Sequence, residues 1–298
     1  MSTPQLFHVD SFTKTPFRGN PAGVVLNADS LSERQMQDLA SELKHSETAF
    51  VMESQSGDYD VHIRYFTPST EVPICGHATI AAHYARAKWL GLGNVVLRQK
   101  TGAGIQAIHI EVCADDYRIL MRQGPIFFGE PFDAASRRAL SNALGLTESD
   151  LHETNPVQIV STGHSKVMVP LRTGVSLDAI TPDYSALAAL SAIIGCNGYF
   201  PFLVRCDGAA TDGRMFAPAI GIREDPVTGN ANGPLGAYLV KHRLMNHDGR
   251  RLHFNGHQGR AIGRDGVVSV LVDIQNKEPT QVSIKGDAVI LFTAPLLL

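Results

Sequence analysis

Val72-Pro-Ile-Cys-Gly-His-Ala-Thr-Ile-Ala-Ala-His83 is a proline-containing turn that leads into an apolar, alanine-rich segment. A helix without a polar face is buried rather than laid on a surface, so we predict a central buried helix over about residues 77–90. The first turn of a helix presents unpaired N–H groups and the positive end of the helix dipole. Cys75, Gly76 and His77 therefore lie where a carboxylate or a phosphate can bind.

The composition indicates a globular protein without a nucleic-acid or membrane partner. The 298 residues are 44% hydrophobic and 18% charged, typical of one large domain or two of ordinary size. The formal net charge is −3 and the basic residues are scattered, which does not favour nucleic-acid binding. No apolar run approaches the roughly 20 residues of a membrane span, and the N-terminus lacks the pattern of a signal peptide. A cytoplasmic location is expected.

The cysteines and histidines show no metal-ligand spacing. The four cysteines, at positions 75, 113, 196 and 206, form no CxxC or CxxH pair, and the twelve histidines are dispersed. Sparse cysteines without an export signal are typical of reduced thiols in the cytoplasm. We therefore expect neither a metal nor another cofactor.

An internal repeat divides the chain into two related parts. Arg64-Tyr-Phe-Thr-Pro68 recurs as Arg214-Met-Phe-Ala-Pro218, 150 positions later. Each copy follows a phenylalanine-rich strand and precedes a loop, a glycine and a buried helix, and the second helix begins within Glu224-Asp-Pro-Val-Thr-Gly-Asn-Ala231. We predict an α+β fold of two pseudo-symmetric halves, each with many short strands around one central buried helix. Pro234 is compatible with the second helix if it lies in the first turn.

The halves are expected to span residues 1–125 and 130–285. Residues 124–132 contain two prolines and two glycines and are predicted to form the linker. The apolar C-terminal strand, within 286–298, is expected to return to the first half. If the halves face each other, the N-termini of both central helices converge on one cleft, which is the expected active site.

Three kinds of side chain can carry chemistry in this arrangement. Glu47 is a carboxylate entering an apolar strand, where it can take and return a proton, although an exposed glutamate at a strand start is equally compatible with the pattern. Cys75 is either a thiol nucleophile or base at a helix terminus or a small packed side chain, and His77 beside it is either functional or a packing residue. In the second half, Asp225 and Thr228-Gly229-Asn230 hold the matching position, and each is also an ordinary turn or cap residue.

Several enzyme classes are not favoured. The chain has no GxSxG serine elbow, no GxGxxG dinucleotide fingerprint and no Walker A sequence. An acidic group opposed to a Cys/His pair across a cleft favours acid/base chemistry instead.

The chain resembles the phenazine-biosynthesis (PhzF-like) family, and most of all the YddE-type isomerases of unknown substrate. The resemblance rests on Phe17-Arg-Gly-Asn-Pro21, Ser46-Glu-Thr-Ala-Phe50, Arg64–Pro68, Cys75-Gly-His-Ala-Thr79 and Glu224-Asp-Pro-Val-Thr-Gly229, and covers nearly all of the sequence. It implies the diaminopimelate epimerase-like fold, in which each pseudo-symmetric half is a strand barrel around a central helix. It also implies a homodimer and no cofactor.

The resemblance assigns roles to individual residues. It implies that Glu47 moves a proton between carbons of the substrate as general base and acid, and that His77 and Asp225 assist. Among the substrate-binding residues, it implies a role for Asn20 and for the amides of Gly76 and Gly229, which would hold a carboxylate. Cys75, Thr228 and Asn230 are also expected to bind substrate, because they lie at the two helix starts. Thr162-Gly-His-Ser165 resembles a further pocket loop of the second half.

The sequence departs from its relatives at two positions. The phenazine enzyme lacks a thiol at the position of Cys75 and has serine at that of Asn230. Diaminopimelate epimerase uses two catalytic thiols; Cys75 matches one of them, whereas Asp225 lies in the loop of the other. A symmetric two-thiol racemisation is therefore not favoured.

We accordingly predict a cofactor-independent isomerase that moves a proton between carbons of a small carboxylate-bearing metabolite. Two alternatives stay open at this point. One is a thiol-assisted epimerase or racemase using Cys75, and the other is a small-anion-binding protein without catalysis.

Overall fold

The chain folds into two units in the computed structural model, which describes residues 3–297. The first unit contains Met1–Arg122 together with Lys285–Leu298, and the second contains Gln123–Ile284. Each unit has its own strands and one central helix.

The first unit contains nine strands and two helices among the described residues. They are β1 (Gln5–Ser11), β2 (Asn20–Leu26), α1 (Glu33–Leu43), β3 (Thr48–Glu53), β4 (Val61–Phe66), β5 (Glu71–Val72), α2 (Gly76–Leu90), β6 (Val95–Thr101), β7 (Gly104–Cys113), β8 (Asp116–Arg122) and the C-terminal β19 (Ala288–Pro295).

Helix α2 is the buried helix that the alanine-rich sequence predicts. Eleven of its fifteen residues are buried, on every side of the helix, because small alanine side chains let strands pack closely around it. It ends at Gly91, whose φ of 62° is the left-handed conformation that glycine adopts at low cost. Two polar residues inside it have close partners: the Tyr65 hydroxyl lies 2.6 Å from the Thr79 hydroxyl, and His83 Nε2 lies 2.7 Å from Gln99 Oε1.

The strands of the first unit wrap around α2 through two parallel crossovers. β2 pairs in parallel with β3 after α1, and β4 pairs in parallel with β6 after α2. The intervening pairs β1–β2, β3–β4, β6–β7 and β7–β8 are antiparallel, and β19 closes the set by pairing antiparallel with β1. Helix α1 begins with a capping box formed by Ser32 and Gln35, whose Ser-x-x-Gln spacing is typical of this motif.

The second unit contains ten strands and three helices. They are β9 (Phe127–Pro131), α3 (Ala134–Ala143), β10 (Gln158–Ser161), β11 (Ser165–Pro170), α4 (Tyr184–Ile194), β12 (Tyr199–Val204), β13 (Ala210–Gly213), β14 (Met215–Ala217), β15 (Ile222–Asp225), α5 (Gly229–Lys241), β16 (Arg251–Gln258), β17 (Gly266–Gln275) and β18 (Glu278–Gly286), which continues past the unit boundary.

The second unit repeats the connectivity of the first. β11 pairs in parallel with β12 after α4, and β13 pairs in parallel with β16 after α5, while β10–β11, β12–β13 and β16–β17 are antiparallel. Helix α5 corresponds to α2, and eleven of its thirteen residues are buried. The predicted α+β fold of two halves, each built around a central helix, is therefore confirmed.

The repeated Arg-x-Phe motif forms the same local structure twice. Arg64 makes a bidentate pair with Glu71 and lies over the Phe66 ring, with its guanidinium carbon 5.1 Å from the ring centroid. Arg214 pairs in the same way with Glu224 and lies 4.9 Å from the centroid of Phe216. In both units this pair lies on or directly beside the strands that precede the central helix.

Two expectations about the second unit are wrong. Residues 124–132 do not form a linker, because β9 pairs antiparallel with β10 and its prolines lie outside or at the end of the strand, where a missing N–H is tolerated. Pro234 is not in the first turn of α5 but is its sixth residue, so it has no N–H to donate to the carbonyl of Asn230. Among residues 3–297, no helix combines the length and apolar character needed to cross a membrane.

Candidate active site

The N-terminus of α2 holds the first group of candidate residues. Cys75 is the N-cap residue and lies in extended backbone conformation, and its carbonyl accepts hydrogen bonds from both the amide and the hydroxyl of Thr79. The Ser11 hydroxyl donates to the carbonyl of His77 at 2.8 Å. The backbone that carries the Cys75 and His77 side chains is therefore fixed by side chains from β1 and from the helix itself.

Glu47, Cys75 and His77 form one cluster, which we call the Glu47 cluster. His77 Nδ1 lies 3.3 Å from Cys75 Sγ, and His77 Nε2 lies 3.5 Å from Glu47 Oε2 and 3.3 Å from the Ser46 hydroxyl. The His77 side chain is 8% exposed and that of Glu47 is 17% exposed. The imidazole is thus placed between a thiol and a carboxylate that stays partly accessible.

The contacts of His77 favour one arrangement of protons. Nε2 faces a carboxylate and a hydroxyl, both of which accept hydrogen bonds, so the neutral ring is best satisfied with its proton on Nε2. Nδ1 then accepts from the Cys75 thiol. In this arrangement Cys75 keeps its proton and orients the imidazole, and the carboxylate of Glu47 is the group available to receive a proton.

Strand order explains why Glu47 reaches this cluster. It directly precedes β3, whose first residue, Thr48, lies opposite Gly23 of β2 and Phe66 of β4. A Cβ on Gly23 would lie 2.9 Å from the Thr48 hydroxyl, so the glycine permits this close pairing. The start of β3 is thereby held at the end of the sheet where α2 begins.

Asn20 is the first residue of β2 and is 1% exposed. It follows Gly19, whose φ of 66° lies in the left-handed region and whose Cβ would lie 2.1 Å from the carbonyl oxygen of Ser11. Only glycine fits there, and this turn fixes where Asn20 begins the strand. The binding role of Asn20 stays a prediction.

The N-terminus of α5 holds the second group, which we call the Asp225 cluster. Asp225 ends β15, and its carboxylate accepts a short hydrogen bond from the hydroxyl of Thr228, the N-cap residue of α5. Gln258 of β16 accepts from the Thr228 amide at 3.0 Å and donates to the Asp225 carbonyl at 2.7 Å. Gly229 and Asn230 are the first two residues of the helix, and Asn230 is half-buried.

Glutamine and asparagine side chains that sequence reasoning missed support this cluster. Gln123 donates to the Gly229 carbonyl at 3.0 Å and accepts from the Thr162 hydroxyl at 2.6 Å, which links the Thr162–Ser165 loop to the start of α5. Asn232 donates to the Thr228 carbonyl and to Gln258. Cβ atoms on Gly233 and Gly256 would lie within 2 Å of these amide oxygens, so the two glycines make room for them. In the sequence, these two glycines were the only feature that could have indicated the buried amide side chains.

Lys166 adds a cation to the second unit. Burial lowers the pKa of its amine, and the charges of Cys196 and Asp225 act in the opposite direction. The lysine stem crosses Gly198, where a Cβ would lie 2.4 Å from Lys166 Cδ.

A cavity of about 350 Å³ in the first unit lies apart from these residues. It is lined by Leu26, Asn27, Asp29, Val51, Met52, Glu53, Ser54, Asp60, Val61, Arg86, Trp89 and Leu90, which include none of the predicted site residues. Hydrogen bonds from Arg98 lower the pKa of Asp60 to about 2, so this carboxylate is not suited to proton transfer near neutral pH. In the Glu47 cluster, by contrast, a carboxylate, an imidazole and a thiol meet.

Comparisons with known proteins agree with the fold. The model of the family described as phenazine biosynthesis-like protein matches residues 9–294. The chain belongs to this family. It is 58% identical over 291 residues to the uncharacterized isomerase YddE of Escherichia coli K12, covering 98% of this chain and 97% of that protein. It is 31% identical to the trans-2,3-dihydro-3-hydroxyanthranilate isomerase of Pseudomonas fluorescens, covering 94% and 95% of the two chains.

Solved structures of the family share the whole fold. The PhzF-family protein of Bacillus anthracis matches with a TM-score of 0.87 at 34% identity, and each chain is covered completely. A hydroxyproline epimerase from Agrobacterium vitis matches with a TM-score of 0.65 at 13% identity, covering 99% of this chain and 91% of that one, which shows likeness of fold alone. The named relatives of the phenazine biosynthesis-like family are isomerases, so the prediction of an enzyme of this class is confirmed.

Proposed function

We propose that the protein is a cofactor-independent isomerase that moves a proton between two carbons of a small carboxylate-bearing metabolite, with Glu47 as the proton carrier. The observation that carries this proposal is the Glu47 cluster. It combines a partly accessible carboxylate, an imidazole 3.5 Å away, and a hydroxyl and a thiol that hold the imidazole.

The chemistry requires a base that removes a proton from carbon and returns it to another carbon as an acid. Glu47 takes the proton, and the negative charge is delocalised into the unsaturated system of the substrate. The carboxylic acid then delivers the same proton to the second carbon, so no redox change and no cofactor enter the balance. His77 keeps the carboxylate oriented through its Nε2 proton, which supports transfer in both directions.

The substrate carboxylate needs a separate binding group. Gly76 and Gly229 are the first residues of the two buried helices α2 and α5. A helix N-terminus favours an anion through its unpaired N–H groups and its dipole. Asp225 is assigned to positioning the substrate, as the family resemblance implies, and Thr228 and Asn230 are assigned to it by their place at the start of α5. The expectation that both clusters serve one cleft, and that of a homodimer, stay predictions.

The test is proton exchange in heavy water. The probes are trans-2,3-dihydro-3-hydroxyanthranilate, the compound in the name of the Pseudomonas relative, and a panel of small unsaturated carboxylic acids. Deuterium incorporated at carbon is followed by NMR and mass spectrometry. Glu47→Gln keeps the shape of the side chain and removes the base, so we expect exchange to fall by about 100-fold or more.

Glu53→Gln is the matched control. Glu53 is an exposed glutamate at the end of the same strand, so its replacement should leave exchange unchanged. Normal exchange by a folded Glu47→Gln variant on a compound that the wild type turns over would refute the proposal. Binding of panel compounds without any exchange would favour the non-catalytic alternative.

A thiol-dependent epimerisation is the second candidate, because Cys75 caps α2 and contacts His77. A two-base racemisation needs a second group in the second unit, and there the corresponding cap is Thr228 with Asp225, not a cysteine. Cys75→Ala separates the candidates: it should abolish exchange if the thiol carries the proton. If the thiol only orients His77, most of the exchange should remain.

A further inference from the structure

The Glu47 cluster brings together three donor atoms of different chemistry. One carboxylate oxygen of Glu47, Sγ of Cys75 and a ring nitrogen of His77 all lie within 4.8 Å of one another. The closest separations are 3.3 Å between sulfur and Nδ1 and 3.5 Å between Nε2 and the carboxylate. In a tetrahedral zinc site with bonds of about 2.3 Å to sulfur and 2.0 Å to nitrogen, neighbouring donors lie about 3.5 Å apart. The sulfur and the carboxylate lie against opposite ring nitrogens of His77, and only one of these nitrogens can bind the metal, so the side chains must rotate to bring all three donors, now within 4.8 Å of one another, around zinc.

The donor set selects the metal. Thiolate and imidazole ligands favour zinc among the abundant divalent ions, whereas magnesium and calcium prefer sites made of oxygen alone. Three protein ligands leave a fourth position for water or for a carboxylate, which is the pattern of accessible zinc sites rather than of closed structural ones. The partial exposure of Glu47 provides the way in.

The backbone around these ligands is already fixed. Ser11 holds the carbonyl of His77, and Thr79 holds that of Cys75 with two hydrogen bonds. Ligands on a preformed helix terminus lose little conformational entropy when the metal binds. The Cys-x-His spacing lies outside the usual zinc motifs, and Glu47 comes from another element, which is why the sequence did not predict the site.

We propose that Glu47, Cys75 and His77 form an inhibitory zinc site. Zinc forms a bond to Cys75 sulfur, and the thiol proton is released to solvent while the metal keeps its charge of two. The Glu47 carboxylate becomes a ligand and can no longer accept a proton from substrate. The inhibition rests on the proposed function, whereas metal binding does not.

Binding is tested first, without substrate. The metal-free full-length protein is titrated with zinc in competition with a chromophoric chelator, and cobalt is used as a spectroscopic substitute. We expect one zinc per chain, a thiolate-to-cobalt charge-transfer band and the visible absorption of tetrahedral cobalt. Cys75→Ser, His77→Asn and Glu47→Gln should each weaken binding at least tenfold, and Cys75→Ser should remove the charge-transfer band.

Cys206→Ala is the matched control, because Cys206 is an exposed thiol in the second unit and should not affect binding. Circular dichroism and thermal unfolding of each variant establish that it is folded. Conservative replacements keep the size of the side chains, so a general loss of structure is distinguishable from the loss of a ligand. Zinc binding that survives in folded Cys75→Ser with unchanged affinity, or that disappears in Cys206→Ala, would overturn the site.

Inhibition is tested second, on any panel compound that the wild type exchanges. One equivalent of zinc should abolish exchange and a chelator should restore it. If zinc occupies the site while exchange continues, the inhibitory role is wrong. If Glu47→Gln exchanges normally yet binds zinc more weakly than the wild type, the isomerase mechanism fails and the metal site stands.

Discussion

Replacement of Arg214 by methionine should destabilise the protein far more than the same replacement at Arg64, although both arginines belong to the same repeated motif. The side chains of Arg214 and Glu224 are 9% and 7% exposed, so their ion pair is shielded from water. Arg214 also donates to the carbonyls of Leu177 and Ile180, each at 2.8 Å. Removal of the arginine leaves a buried carboxylate without its counter-charge and two carbonyls without this donor.

The expected magnitudes follow from the exposure of the two pairs. Breaking a buried ion pair by removing one partner costs about 3–5 kcal/mol of unfolding free energy. The partners of Arg64 are more exposed, Glu71 at 39% and Glu33 at 72%, and exposed pairs contribute about 0–1 kcal/mol. We therefore expect Arg214→Met to lower the unfolding free energy by at least about 2 kcal/mol more than Arg64→Met.

Urea unfolding measures both variants. Far-UV circular dichroism follows the whole chain, while the fluorescence of Trp89, the single tryptophan, reports on the first unit. Arg214→Met should shift the circular dichroism midpoint strongly, and the double variant Arg214→Met/Glu224→Gln should recover part of the loss because no charge is left buried. Equal destabilisation by the two single variants, or no recovery in the double variant, would refute the reasoning.

Three further predictions concern single side chains. Burial lowers the pKa of His83 from 6.5 to about 4. As the pH falls from 6.5 to about 4, the unfolded chain binds a proton at this histidine while the folded chain does not, so the free energy of unfolding falls, by roughly 3 kcal/mol for this residue. His83→Gln should flatten the pH dependence of the urea midpoint, because it removes this titrating group. Gly256→Ala places a Cβ 1.9 Å from Asn232 Oδ1 and should cost about 1–3 kcal/mol in urea unfolding, while Gly93→Ala, with open space around it, should be neutral. Gln258→Leu removes the support of Thr228 and Asp225 and should reduce proton exchange on the order of tenfold or more; unchanged exchange would contradict a role of the Asp225 cluster in catalysis.

The candidate site was only partly predictable because its supporting residues are ordinary polar side chains. Gln123, Gln258 and Asn232 hold the start of α5, yet nothing in their local sequence distinguishes them from surface residues. The proposed zinc site was not predicted for a different reason. Ligand spacing identifies sites whose donors are close in sequence, and Glu47 joins Cys75 and His77 only through the placement of β3 beside α2.

The sequence by itself determined the features that depend on local periodicity and on repetition. The apolar run predicts the buried helix α2, and the Ser-x-x-Gln spacing predicts the start of α1. The repeated Arg-x-Phe motif predicts two related halves, and it forms the same local contact in both. These features depend on residues that are near in the chain. Tertiary structure decided what those elements bring together. Whether Glu47 meets His77, and whether Arg214 is buried while Arg64 is not, depends on packing between distant segments, and no local pattern records it.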